Sequence, residues 1–262
     1  VGYAEVMLEP LPLQPLTLQS LSMVVTSIPG FAEPVSSLTH LLGAGVFVGL
    51  APLLIRRGAG ERPRVIALAI FSLVIVVQLG LSGIYHLLPL NSVARGVFQQ
   101  LDHAAIFALI AGSFTPIHMI LYRGFGRWGM LLLVWGIAVT AITVKTIYFA
   151  ELPRGVGLGL YLGMGWIGLG SGISLYRRYN WQFVAPVFWG GIAYSVGAVL
   201  EALHWPTLIP GVFQWHEVFH VAVLIGLALH WSFIYAIADG RLAPNAPPPS
   251  DSLPQIATQP HR

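Results

Sequence analysis

The chain has no cysteine. Disulfides and thiolate metal sites are therefore excluded, and any metal must take imidazole or carboxylate ligands. Charge is scarce as well. Only 9% of the 262 residues are Asp, Glu, Lys or Arg, against about 25% in ordinary soluble domains. With 56% hydrophobic residues and a mean hydropathy of +0.75, the composition indicates a polytopic membrane protein. The isoelectric point near 9.4 would suit a nucleic-acid binder. The arginines, however, are scattered between apolar runs rather than gathered in a patch, so no nucleic-acid partner is expected. There is no strand–glycine-rich–helix arrangement for phosphates, no nucleophile elbow and no redox pair.

Three regions follow. Residues 1–32 are apolar, broken by proline and without a basic n-region, which makes a poor signal peptide. They are expected to form a poorly ordered leader, with Met23 as an alternative start. Residues 239–262, "DGRLAPNAPPPSDSLPQIATQPHR", are rich in proline and polar groups and are expected to be a disordered tail. Between them, residues 33–238 hold seven apolar stretches of about 20 residues, the length that spans a bilayer. Their approximate limits are 35–55, 64–88, 101–121, 127–149, 155–176, 182–203 and 216–238. Lipid offers unpaired backbone groups no partner, so these spans should be helices. Frequent glycine, as in "LGLYLGMGWIGLGSG" (158–172), favours close helix packing. The predicted fold is all-α, an integral membrane bundle of seven transmembrane helices.

Arginine bias sets the expected orientation. One side carries Arg56, Arg57, Arg62, Arg64, Arg123, Arg127, Arg177, Arg178 and Arg241, with Arg262 at the tip of the tail; the other carries Arg95 and Arg154. This predicts a plasma-membrane protein with its N-terminus outside and its C-terminus in the cytoplasm. Trp128, Trp181 and Trp215 near segment ends fit interfacial belts.

Ionisable groups inside membrane segments are costly and mark function. Here they gather at one end of the predicted bundle, the outer one by the arginine count. Glu33 and His40 flank the first span, Ser82 and His86 close the second, and Asp102 and His103 open the third. Glu201 and His204 end the sixth, and His216, Glu217 and His220 open the seventh. His118 lies near the opposite face and reads as structural, while Lys145 within the fourth span is expected to snorkel towards water.

"HEVFH" (216–220) has the spacing that zinc proteases use. On a helix, His216 and His220 share a face and reach one ion. The protease reading needs a third ligand downstream, but His230 and Asp239 lie roughly 15 Å and 28 Å along the helix from His220. The third ligand must come from another helix ending at that face, with His86 and Asp102 as the candidates. Glu217 is then either a general base or a partner that fixes a histidine tautomer. Ser82 either serves the site or bonds to its own backbone. His103, Glu33, His40, Glu201 and His204 are candidates for supporting roles around it.

The segments "EPVSSLTH" (33–40), "SGIYH" (82–86), "LDHAAIFALIAGSFTP" (101–116), "GGIAYSVGA" (190–198) and "HEVFHVAVLIGLALHW" (216–231) resemble, in order and position, the hemolysin III proteins. These lie within the larger group of progestin and adipoQ receptors and alkaline ceramidases. The resemblance implies that His86, His216 and His220 bind zinc (Zn2+), that Asp102 holds the zinc's water, and that Ser82 lies near the metal. One departure is visible: where the family's first motif carries asparagine, this chain has Ser36. That weakens the specific roles of Glu33 and His40 and leaves the metal set intact.

Three functions are consistent with this. The first is a zinc-dependent hydrolase of a lipid amide or ester, with Asp102 and Ser82 as catalytic candidates and a membrane lipid as substrate. The second is a non-catalytic, receptor-like sensor or membrane-homeostasis protein with a structural zinc joining the second, third and seventh spans. The third is a pore-forming cytolysin, the weakest fit, because all seven spans are already committed to the bilayer.

Overall fold

The computed structural model describes residues 25–242, which contain eight helices and only isolated β-bridges. The expected leader and tail fall mainly on residues 1–24 and 243–262, outside the described residues. The helices are α1 (Pro34–Arg57), α2 (Arg62–Leu87), α3 (Val93–Leu121), α4 (Gly124–Ile147), α5 (Arg154–Trp166), α6 (Gly168–Arg178), α7 (Trp181–Leu203) and α8 (Trp215–Ile237). Seven spans are long and apolar enough to cross a membrane, and α5 and α6 together make the fifth, Gly155–Arg178. Ile167, which separates them, keeps helical dihedrals (φ −53°, ψ −32°), so the interruption is local to a glycine-rich run.

The bundle is inside-out relative to a soluble protein. Leu42, Val46, Leu132, Val139 and Val196 are exposed on its flanks, where hydrocarbon is the solvent. Phe71, Ile75, Leu79, Leu121, Leu227 and Ile234 are buried where α2, α3 and α8 meet. A second group, Phe107, Ala111, Val134, Ala138 and Met164, joins α3, α4 and α5. Consecutive helices α1 to α4 pack as antiparallel neighbours, α7 runs along α8, and α8 closes the ring against α1 and α3. The fifth span packs least closely, which leaves room on its inner side.

Apolar patterning located α3 only in part. Its sequence-predicted start was residue 101, but the helix begins at Val93, capped by the Ser92 hydroxyl, which accepts from the Arg95 N–H at 3.2 Å. The extra turns, "VARGVFQQ", are too polar to register as membrane-spanning, yet they carry Arg95 and Gln99 to the site. Close approach of α1 to α2 depends on Gly83. A Cβ there would lie 2.6 Å from Leu41, and the Ser37 hydroxyl donates to the Gly83 carbonyl at 2.8 Å. That contact sits one turn from His86 and sets its distance from α1. Gly197 similarly admits Ala222 of α8, bringing Glu201 over His216.

Candidate metal centre

Residues from four helix ends build the site. On α2, Gln78, Ser82 and His86 are spaced four apart, so they line one face, and all three are buried. The start of α8 is fixed by a capping box: the Gln214 side chain accepts from the Glu217 N–H, and Glu217 accepts from the Gln214 N–H at 2.8 Å. This cap places His216 and His220 on the first two turns. Asp102 enters from α3, and Glu33, Ser36 and His40 from the start of α1.

His86 supplies the third nitrogen that the spacing of His216 and His220 required. Nε2 of His216 lies 3.2 Å from Nε2 of His86 and 3.2 Å from Nε2 of His220. All three ligand atoms fall within 4.8 Å of one another. Tetrahedral zinc with bonds of roughly 2.0–2.1 Å would hold ligand nitrogens about 3.3 Å apart. Their partners add a second argument. Nδ1 of His86 meets the Glu33 carboxylate, and Nδ1 of His216 meets Glu201 at 3.2 Å. Carboxylates only accept, so each Nδ1 carries the hydrogen and each Nε2 turns a lone pair inward. Converging lone pairs repel unless a cation sits between them, and the three histidines therefore fit a metal ion.

Glu33 is held on two sides. It accepts from His86 and from the Arg95 guanidinium at 2.7 Å, while Arg95 also donates to the carbonyls of Tyr85 and Leu88 at 3.1 and 2.9 Å. Burial raises the affinity of its carboxyl for a proton, but the hydrogen bonds from His86 and Arg95 and the charge of Arg95 outweigh it and hold the carboxyl below the usual carboxylate range. His40 stacks on the His220 ring, centroids 3.7 Å apart and planes 14° from parallel. Neither of its ring nitrogens makes a hydrogen bond of normal geometry.

Asp102 is buried and accepts from the Gln78 amide at 2.9 Å, with the Ser82 hydroxyl also in hydrogen-bonding reach. Its carboxylate is not among the atoms that converge within 4.8 Å, so it neighbours the three histidines without joining them. A metal there would draw its protein nitrogens from α2 and α8 alone, not from three helices.

Several expectations are corrected. Glu217 is committed elsewhere: one oxygen closes the α8 cap, and the other accepts from the Ser36 hydroxyl at 2.7 Å. Its carboxylate is therefore not free, and the carboxylates that meet the His86 and His216 rings are Glu33 and Glu201. Ser36, which stood out as a departure, instead ties α1 to α8 through Glu217. His204 is exposed, ends α7 in a left-handed conformation (φ 52°) and packs edge-on against Trp215. It supports the loop rather than the histidines. His103 stacks on Phe149 and accepts at its carbonyl from the Tyr161 hydroxyl at 2.9 Å, on the cavity side away from α8. Arg95, counted as a topology charge, is only 7% exposed and serves Glu33. Lys145 does not snorkel: it is 8% exposed, and its ammonium lies over the Phe149 ring, 4.9 Å from the centroid.

Gln78 was missed. Its signal was present in "QLGLSGIYH" (78–86), a four-residue polar period inside an apolar span.

The polar cluster forms one end of a cavity of about 1180 Å³ that runs through the bundle. Ile106, Ile110 and Phe114 of α3, Val184 and Phe188 of α7, and Tyr161 of α5 line its apolar length. Such a volume exceeds the roughly 300–1,000 Å³ of ordinary small-ligand pockets.

Seven apolar spans around a buried three-histidine pocket define an integral membrane protein with a candidate metal centre. The chain belongs to the haemolysin-III related family, whose model matches residues 31–231. It is 29% identical over 199 residues to "Hemolysin-3" of Bacillus cereus, covering 75% of this chain and 87% of that protein. It is 27% identical over 171 residues to "Hemolysin-3 homolog" of Bacillus subtilis (strain 168), covering 64% and 78%. It is also 29% identical over 225 residues to "Adiponectin receptor protein" of Drosophila melanogaster, covering 78% of this chain and 50% of that longer protein.

Proposed function

We propose that His86, His216 and His220 bind a zinc ion and that the chain is a metal-dependent hydrolase of a lipid amide or ester. The observation that carries this reading is the convergence of three Nε2 atoms, two of them held with the lone pair inward, at one end of a cavity large enough for an acyl chain. Bound there, the metal would polarise a carbonyl and make water a better nucleophile at neutral pH. Glu33 and Glu201 keep the two Nδ1–H groups in place and hold His86 and His216 in the ligating tautomer. Asp102 is the proton acceptor. The Gln78 amide fixes one oxygen, leaving the other to take a proton from the attacking water and pass it to the departing amine or alkoxide. Ser82 donates towards Asp102 and keeps it oriented. The apolar cavity holds the acyl chain so that its carbonyl meets this group of residues. By the arginine bias the site opens to the outer leaflet. Because the chain lacks cysteine, single introduced cysteines labelled from one side would test that orientation.

A specific observation favours the structural alternative. Helices α2 and α8 share the apolar core but their backbones do not run close together, so a metal held by His86, His216 and His220 would add a direct tie between them, as in a sensor or homeostasis protein. Metal analysis combined with a lipid-product screen separates the two. An Asp102→Ala protein that keeps its metal and loses turnover supports the hydrolase. A His86→Ala protein that loses stability, with no product ever formed by the wild type, supports the pin. Well-folded wild type without metal overturns both. Metal-independent leakage from vesicles holding the pure protein would revive the pore.

A further inference from the structure

Lys145 stands apart from everything used above. It sits in the last turn of α4, within a membrane span, and only 8% of its surface is exposed. Among the described residues it makes no hydrogen bond or ion pair; its contact is with the face of Phe149. It lines the same cavity as the three histidines, on the wall opposite α8, alongside His103, Phe149 and Tyr161. Its ammonium also lies against the first turn of α5, since a Cβ at Gly157 would come 3.5 Å from Nζ. That turn has no side-chain cap, begins after a proline and contains no acidic residue. The start of a helix carries unpaired N–H groups and a partial positive charge. A largely buried lysine whose ammonium faces the cavity and an uncapped helix start thus border one space, with no carboxylate paired to either among the described residues.

We propose that this space holds the anionic headgroup of a single-chain amphiphile whose tail fills the cavity. An anion between Lys145 and the start of α5 would satisfy both, as anions at helix starts do elsewhere. Resting on the hydrolase reading, this names the substrate class: an acyl amide or ester whose leaving portion bears a carboxylate or a phosphate. Water's oxygen bonds to the acyl carbon, the acyl–nitrogen or acyl–oxygen bond breaks, and the proton goes through Asp102 to the leaving group. Lys145 then decides specificity while taking no part in the bond exchange.

Three probes test this on the detergent-purified full chain by displacement of a fluorescent acyl ligand: palmitoylglycine, palmitoylglycinamide and a palmitoyl lysophosphatidate. The amide differs from palmitoylglycine only in lacking the charge. Wild type should bind at least one of the anionic probes about tenfold more tightly than the neutral amide. Whichever anion is preferred identifies a carboxylate or a phosphate head. Lys145→Gln should lose the preference while keeping its affinity for the amide, and Lys145→Arg should keep the preference. Equal binding of all three probes by wild type overturns the proposal, as does a preference that survives in Lys145→Gln. Should Lys145→Gln fail to fold, the wild-type comparison still decides. Product formation, followed separately, tells the two readings apart: anion-selective binding without hydrolysis keeps this site and removes the enzyme.

Discussion

Histidines occupy both ends of this bundle, and they are treated in opposite ways. At one end His118 is fully provided for: Nδ1 donates to the Gly126 carbonyl at 2.9 Å, and Nε2 accepts from the Ser171 hydroxyl at 3.1 Å. At the other end, His86 and His216 spend Nδ1 on carboxylates and turn Nε2 towards a shared centre 3.2 Å from one another. Burial is similar for His118 and His86. The distinguishing feature is therefore not that a histidine is buried in the membrane but whether its second nitrogen has a protein partner. A ring satisfied on both sides is a strut, whereas rings that share an unpaired centre could hold a cation.

The sharpest way to break this contrast is to remove one ring from each end. His86→Ala, or the same change at His216 or His220, should take bound metal from about one ion per chain to near none, and lipid hydrolysis with it. Elemental analysis beside a product assay reads this. His118→Ala should keep the metal while losing the hydrogen bonds to the Gly126 carbonyl and the Ser171 hydroxyl, at roughly 1–3 kcal/mol of stability for the two, seen as a lower Tm.

Smaller effects separate the parts of the metal end. Asp102→Asn should retain metal and lower hydrolysis by about 10²–10⁴-fold, the usual contribution of a positioned proton acceptor. Glu33→Gln should weaken metal binding by roughly 10–100-fold, as loss of a ligand's supporting carboxylate does, measured by competition with a chelator. Glu217→Gln should have the least effect. It should keep metal and turnover and cost about 1 kcal/mol, because the amide can accept only one of the two hydrogen bonds from Gln214 and Ser36, and a large loss of activity would point to Glu217 as a base.

How legible these parts were depended on the range of the interaction behind each. His216 and His220 could be paired from sequence because four residues make one helical turn, a local rule. Seven spans and their alternation followed from length and hydropathy, which placed His86 and Asp102 at the same end as α8. Glu217 stays open between a base and a supporting partner when only the local spacing is read. Its place in "HEVFH" suggested a zinc protease base, yet the same position three residues after Gln214 also makes it a capping carboxylate. Only the contact with Ser36, 181 residues away in sequence, shows which use the fold makes of it. Arg95 misled similarly: a lone arginine in a loop reads as a topology signal until α3 is found to start early enough to bury it against Glu33.

The sequence by itself determined the membrane environment, the seven helices, the end of the bundle where ionisable groups collect and the pair of histidines on α8. Each follows from composition, hydropathy or the 3.6-residue turn, and none needs a partner element. The residues alone left His86 and Asp102 open as the third member, the resemblance chose His86, and the tertiary structure brings it to the pair; only that structure decided that Glu33 and Glu201 meet two of the rings, that Gln78 holds Asp102, and that Lys145 lines the same cavity. Those outcomes depend on how closely helices approach, and that is set by small residues such as Gly83 and Gly197, whose meaning lies in the side chain opposite them.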